Sequence, residues 1–215
     1  MKIVAISDTH DQQWNLEVPD GDVLVHAGDI CFEHKGSVGF KHITRLREWL
    51  YEQPHKHKVI IAGNHDFPFE THPKESRYIL RDFHYLQDSA VEIDGVKFWG
   101  SPWQPWFYDW AFNLERGKLL EEKWALIPED TDVLLTHGPP YGKGDLTTGY
   151  IGPQEHAGCK DLTVRLQELS VKLHVFGHIH SGYGMYRLGE TDCVNASVVN
   201  EHYEAVNKPV TWEYR

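Results

Sequence analysis

Five short stretches hold most of the residues able to do chemistry. They are Asp8-Thr9-His10, Gly28-Asp29, Gly63-Asn64-His65-Asp66, Thr136-His137-Gly138-Pro139-Pro140 and Gly177-His178-Ile179-His180. Each follows an apolar, β-branched run that reads as a buried strand. At the carboxyl edge of an open α/β sheet, neighbouring strand ends face one crevice, so groups scattered along the chain can meet there. Residues i and i+2 of extended chain point to the same side, which is how Asp8 with His10, and His178 with His180, are expected to aim at one place. Glycines at 28, 63 and 177 allow sharp turns beside a crowded centre where a Cβ would not fit.

Counting the donors separates one metal from two. Asp8, His10, Asp29, Asn64, His137, His178 and His180 make a set of seven, more than the three or four protein ligands a single zinc-like ion takes. Two divalent ions roughly 3.5 to 4 Å apart can hold a hydroxide between them and stabilise both the entering and the leaving oxygen of a displacement at phosphorus. The implied chemistry is phosphoester hydrolysis. Mixed imidazole, carboxylate and amide donors suit manganese, the leading expectation, and also iron, zinc or nickel.

The ordered set "DTH", "GD", "GNHD", "THGPP" and "GHIH" resembles the calcineurin-like metallophosphoesterase superfamily. "GSPWQPWF", "FNLERG", "LTHGPPYG", "HAGC", "KLHVFGHIHSGYG" and "NAS" extend the resemblance over nearly the whole chain, to a metallophosphoesterase-domain-containing branch related to vertebrate brain-expressed phosphodiesterases. The resemblance implies a two-sheet β-sandwich flanked by helices. It places Asp8, His10 and His180 on one metal, Asn64, His137 and His178 on the other, and Asp29 between them. Some animal members of the branch replace the first histidine of the last motif, which this chain keeps as His178. His65 is then the non-ligand, a donor of a proton or hydrogen bond to the leaving oxygen or a phosphate oxygen. Asp66 is read as its orienting neighbour or as a cap on the next helical turn. Where the protein-phosphatase branch has an Asp-Arg pair after its "GD" motif, this chain has Phe32 and Glu33. That departure argues against a phosphoprotein phosphatase and leaves the partner of His65 open.

The elements that must position these groups are legible in outline. "KIVAIS", "DVLVHAG" and "KVIIAG" read as strands, with a helix from about 37 to 53 between the second and third, carried by Phe40, Ile43, Leu46 and Leu50 and stopped by Pro54. "PKESRYILRDF" reads as a helix, "AVEIDGVKFWGSP" as a hairpin turning at Asp94-Gly95, Leu114 to Leu126 as a helix and "DVLLT" as a strand. "GCKDLTVRLQELS" is amphipathic, "KLHVFG" is the next strand, and Tyr186 to Tyr214 is β-rich. With no repeat or linker, residues 1–215 form a single α/β domain in this reading.

Composition excludes several classes. Lys and Arg number 21 against 32 Asp and Glu, a formal charge of −11, the opposite of the basic surface that a duplex-binding protein needs, so no long nucleic acid is expected as a partner. The longest apolar runs fall far short of a membrane span. No signal-like segment opens the chain, and a cytoplasmic protein is expected. Cys31, Cys159 and Cys193 fit neither a disulfide framework nor a metal knuckle and read as small buried residues. His26 reads as a satisfied core histidine or a support for the ligands, while His34, His42, His55, His57, His72 and His84 are assigned no function.

Two features bear on substrate. Trp99, Trp103, Trp106 and Trp110 place half of the eight tryptophans within twelve residues, either as a self-packed loop or as an aromatic wall, with Trp103 and Trp106 the candidates to stack a nucleobase or aryl ester. His156 and Gly158 precede a helix and are candidates for substrate phosphate, or simply a helix entry. The expected activity is a metal-dependent phosphodiesterase acting on a small phosphodiester such as a cyclic nucleotide, through a metal-bridging hydroxide. The alternatives are a phosphomonoesterase, a broad nucleotide phosphatase, or a metal-binding scaffold that recognises a protein.

Overall fold

The structure, a computed structural model, describes residues 1–32, 37–149 and 153–214; Glu33 and His34 lie outside these residues. Two sheets face each other. The first runs in the order β13-β1-β2-β3-β4, built from Val210–Glu213, Lys2–Ile6, Val23–Ala27, His57–Ile61 and His84–Tyr85. The second runs β11-β12-β10-β9-β6-β5, built from Gly184–Leu188, Thr191–Asn195, Leu173–Phe176, Val133–Thr136, Val96–Ser101 and Ser89–Ile93. A small parallel pair, β7 (Gln104–Pro105) and β8 (Asn113–Leu114), stands apart. The central strands β1, β2 and β3 are mutually parallel, as are β6, β9, β10 and β12.

Alternation along each strand divides the apolar residues into layers. Ile3, Ala5, Val25, Val59 and Ile61 point from the first sheet toward Phe98, Val133, Leu135, Val175 and Val194 of the second, forming the core between them. The opposite face of the first sheet, with Val4, Ile6, Leu24 and Ile60, is covered by α1 (Ser37–Glu52) through Ile43, Leu46 and Leu50. Short α2 (Phe67–Thr71) and α3 (Pro73–Ile79) complete that layer, with Phe69 buried in it. On the far side of the second sheet, α4 (Lys118–Trp124) and α5 (Lys160–Glu168) bury Leu120, Trp124, Leu162 and Leu166 against Trp99 and Leu134. This helix–sheet–sheet–helix order is the two-sheet sandwich that the motifs imply.

Local differences from the sequence reading have local causes. The helix expected over 114–126 begins at Lys118, because Gly117 at φ 84° breaks the backbone before it and Leu114 pairs in β8. The helix α2 was not expected, since Pro68 sits inside it; as an early position, its missing N–H costs nothing there. The Asp94-Gly95 turn has φ of 49° and 80°, the left-handed pair that a two-residue hairpin demands, with Ile93 opposite Val96. All three cysteines are free and buried, and no described helix is long and apolar enough to cross a membrane.

Phe98 has no solvent exposure and bridges the two sheets. Phe98→Ala is expected to cost about 3–5 kcal/mol, lowering the thermal midpoint by roughly 6 to 20 °C for a domain this size. A change below 2 °C would mean that the inter-sheet core is not the cooperative unit.

Candidate functional site

The ends of β1, β2 and β3 in one sheet and of β9 and β10 in the other open on the same edge, and each delivers part of one cluster. The geometry is not the extended i, i+2 pattern expected from sequence. Asp8, His10, Asp29 and His178 have φ of 54°, 42°, 57° and 66°, in the left-handed region that Asp and His enter more readily than most residues. Interlocked turns hold them there. The amide of Asp8 donates to Gly28 O (2.9 Å), that of His10 to Asp29 O (3.1 Å), and that of His178 to both Asp8 carboxylate oxygens (3.0 and 3.1 Å). A Cβ at Gly177 would overlap the Asp8 carboxylate and the Ser7 hydroxyl, and one at Gly63 would overlap Asp29.

Main-chain carbonyls orient three imidazoles. Nδ1 of His10 donates to Cys31 O (3.0 Å), that of His137 to Ala27 O (2.9 Å) and that of His180 to Asn200 O (3.0 Å). Each ring therefore presents Nε2 to the cluster: His10 and His137 stand 3.7 and 3.3 Å from Asp29 Oδ2, and His180 stands 3.5 Å from Asp8 Oδ1. Asn64 Oδ1 accepts from His137 Nε2 (2.9 Å) and His178 Nδ1 (2.7 Å). Asp8, His10 and His180, and again Asp29, His137 and His178, bring their ligand atoms within 4.8 Å of one another. Nε2 of His10 is buried and has no hydrogen-bond partner. That lone pair, the two carboxylates and the Asn64 oxygen fit a pair of divalent cations in donor type and placement.

The electrostatics would suit bound cations. Burial opposes ionisation of Asp8, but the hydrogen bond and charge of His180, with His137, hold its carboxyl at about 2. Burial opposes Asp29 too, and the charges of His137 and His65 keep it well below the usual carboxylate range. Burial lowers His10 to about 3 despite Asp29, and lowers His178 to about 3 with help from the charge on His137. His137 goes the other way: burial is overcome by Asp29, and the ring rises to about 9.

His65 has a different setting. Its amide donates to Asp29 Oδ1 (2.8 Å), its Nδ1 donates to Phe32 O (3.3 Å), and its ring stacks on Trp110 at 4.2 Å between centroids. The main-chain carbonyl of Phe32 thus answers the question left by the missing Asp-Arg pair. His10, Asp29 and His65 also form a close group, with His65 Nε2 4.0 Å from Asp29 Oδ2.

The Asp66 side chain makes no capping bond to α2 and does not reach solvent. It accepts from the amides of Ile30 (3.0 and 3.2 Å), Cys31 (2.8 Å) and Gly63 (2.7 Å). Burial, then the charge of Asp29, raise it to about 6 against the pull of those amides. It clamps Ile30 and Cys31, the lead-in to the Cys31 and Phe32 carbonyls that orient His10 and His65. His26 plays a similar part: its Nδ1 accepts from Gly28 N (3.2 Å), so its Nε2–H donates to Thr9 Oγ1 (2.9 Å), joining the Asp8–His10 turn to the Asp29 turn.

The cluster floors a cavity of about 1240 Å³ whose lining includes Asp29, Asn64, His65, His178 and His180. The four tryptophans divide. Trp99 is core. Trp103 hydrogen-bonds Asp88 (3.1 Å), lies under the Lys123 ammonium (4.7 Å) and packs edge-on against Phe112, so it is a packing residue and not part of the cavity wall. Trp106, 58% exposed, and Trp110 line the cavity. His156 lines it too, whereas the amide of Gly158 is taken by Asp145 (3.1 Å) and is not offered to a phosphate. Sequence reasoning missed Tyr203, a cavity residue whose ring meets His10 and His180 edge-on at 4.8 and 5.5 Å. It also missed the orienting carbonyls, which no residue type announces.

Comparison with known proteins follows the same lines. The family model for calcineurin-like phosphoesterases matches residues 1–182. Metallophosphoesterase domain-containing protein 1 of Homo sapiens is 41% identical over 233 aligned positions, covering 97% of this chain and 69% of the human protein. A UPF0046 protein of Caenorhabditis elegans is 36% identical over 226 positions, covering 99% of this chain and 74% of its own. One solved structure, 16% identical, superposes with a TM-score of 0.66 over 90% of this chain and 89% of that one.

Because His137 sits at about 9, it is protonated at pH 7.5 and must lose its Nε2 proton to ligate. Loading with manganese at pH 7.5 is therefore expected to release about one proton or more per protein, with affinity rising between pH 7 and 9. Calorimetric titration in buffers of different ionisation enthalpy checks this; an enthalpy independent of buffer would contradict it.

Proposed function

The chain belongs to the calcineurin-like phosphoesterase family, and from that footing we propose that it is a metal-dependent phosphodiesterase acting on a small phosphodiester, of which a cyclic nucleotide is one. The observation that carries this reading is the convergence of carbonyl-oriented imidazoles on two buried, ionised carboxylates, one of which, Asp29, lines a large, partly aromatic cavity. Asp8, His10 and His180 would hold one divalent cation and Asn64, His137 and His178 the other, with Asp29 shared. Manganese is the leading candidate and iron, zinc or nickel the alternatives. When bound, the pair supplies Lewis acidity toward phosphoryl oxygens and lowers the pKa of water.

The chain's own residues do the rest. His65 has Nδ1–H tied to Phe32 O and its plane held by Trp110, and its Nε2, on the side of Asp29, is assigned the transfer of a proton to the departing ester oxygen. Asp66 holds the amide of Cys31, the residue before Phe32, and is a positioning residue. Trp106 offers a flat apolar surface to the organic part of the substrate, and His156 a polar contact. A diester is favoured over a dianionic monoester because the cations that line the cavity, Arg116 and Lys160, are engaged elsewhere: Arg116 donates to the carbonyls of Gly158 (2.8 Å) and Ala157 (2.7 Å), and the Lys160 ammonium lies over the Tyr141 ring (4.8 Å). The net charge of −11 disfavours long nucleic acids.

Metal-stripped protein is expected to hydrolyse bis(p-nitrophenyl) phosphate only after manganese is added, and faster than p-nitrophenyl phosphate. His65→Ala is expected to lower kcat by about 10²- to 10⁴-fold with both metals still bound. Faster monoester cleavage would shift the assignment to a phosphomonoesterase; two bound metals with no turnover on either ester would favour a scaffold.

A further inference from the structure

A second ordered histidine faces the same cavity from outside the metal cluster. His156 is 47% exposed at its side chain, and its Nδ1 lies 2.8 Å from Asp145 Oδ1. Asp145 is 1% exposed. Its other oxygen accepts from the amides of Gly142 (2.9 Å) and Gly158 (3.1 Å), and its carbonyl accepts from Ala157 N (2.9 Å). A Cβ at Gly158 would crowd the Asp145 carboxylate and the Pro140 carbonyl, so glycine there permits the close approach. A buried carboxylate thus holds the imidazole of a cavity-lining residue in the Nδ1–H form, the arrangement by which proteins fix a working imidazole.

This pair is tied to the metal turn. Leu146 and His156 form an antiparallel bridge, and the Leu146 carbonyl accepts from Ser181 Oγ (3.0 Å), next to His180. Asn195 Nδ2 joins the two segments again, donating to Gly144 O (3.1 Å) and Ile179 O (2.8 Å). His156 therefore stands at a fixed offset from the centre, with the Tyr141 ring beside it at 5.4 Å. Neither the ligand set nor the leaving-group role of His65 uses it.

We propose that the Asp145–His156 pair is a subsite for a hydroxyl group on the substrate, selecting diesters of sugar-like alcohols over those of plain aryl or alkyl alcohols. The inference rests on the phosphodiesterase reading and deepens it. A hydroxyl is the matching group because it both donates and accepts, so it bonds Nε2 whether that atom carries a lone pair or a proton. His156 is a specificity residue that touches substrate, and Asp145 is the positioning residue that acts through it.

The test uses manganese-loaded protein and two diesters with the same leaving group, the p-nitrophenyl esters of uridine 5′-phosphate and of 2′,3′-dideoxyuridine 5′-phosphate. The readout is the ratio of their kcat/KM values. Wild type is expected to prefer the ribosyl ester by about three- to tenfold, the range of one hydrogen bond. His156→Ala is expected to bring the ratio near one, His156→Gln to restore part of it, and Asp145→Asn to reduce it. Thermal midpoint and metal content of each variant separate this from unfolding. A wild-type ratio near one, or a ratio unchanged in His156→Ala, overturns the subsite while leaving the phosphodiesterase standing. Failure of wild type to cleave either ester or bis(p-nitrophenyl) phosphate overturns both.

Discussion

Two carboxylates, Asp8 and Asp29, are kept ionised with almost no exposure to water, and the rest of the molecule is arranged around that demand. A buried charge is tolerated only where opposite charge and hydrogen bonds replace its hydration. Here the replacement comes from the amides of His178 and His65 and from the facing rings of His180 and His137. Those donors sit on three different strand exits, those of β3, β9 and β10, so no single segment can satisfy the carboxylates alone. The acid groups make folding of the edge a collective event, and they leave it strongly attractive to cations.

The two sheets supply what the carboxylates need. Packing Val25 and Ile61 against Phe98, Leu135 and Val175 fixes the offset between strands of different sheets, and it is this offset that lets His137 reach Ala27 O across 110 residues of sequence. The left-handed residues at the exits follow from the same crowding. Each turn must fold back within a residue or two to keep its side chain at the shared edge, and the interlocked amide bonds offset the backbone strain.

Much of this was legible in the chain. The five motif stretches, the strands that carry them, the α1 register and the Asp94-Gly95 hairpin all rest on short-range rules of periodicity and turn chemistry. The sandwich of two sheets came from the resemblance of the motifs, since periodicity alone cannot say which strands share a sheet. The extended i, i+2 geometry at Asp8 and His178 failed, because a tertiary constraint overrode the local pattern. Assignments to the substrate wall were weakest: Trp103 and Trp106 are three residues apart with similar neighbours, yet one packs under Lys123 and the other faces the cavity. Nothing in the sequence tells which way such a loop turns its rings. Asp145 was invisible for a related reason, as its role depends on a partner eleven residues away.

The carbonyls of Ala27, Cys31 and Phe32 have a consequence for how the centre tolerates change. Every amino acid carries that acceptor, so replacing the side chain at these positions alters packing and leaves the orienting atom where it was. Part of the instruction for placing the imidazoles is thus held in backbone shape, which residue identity does not record. Two chains can then drift far apart in spelling while holding the same rings in the same poses, and agreement in fold at 16% identity is what such a division permits.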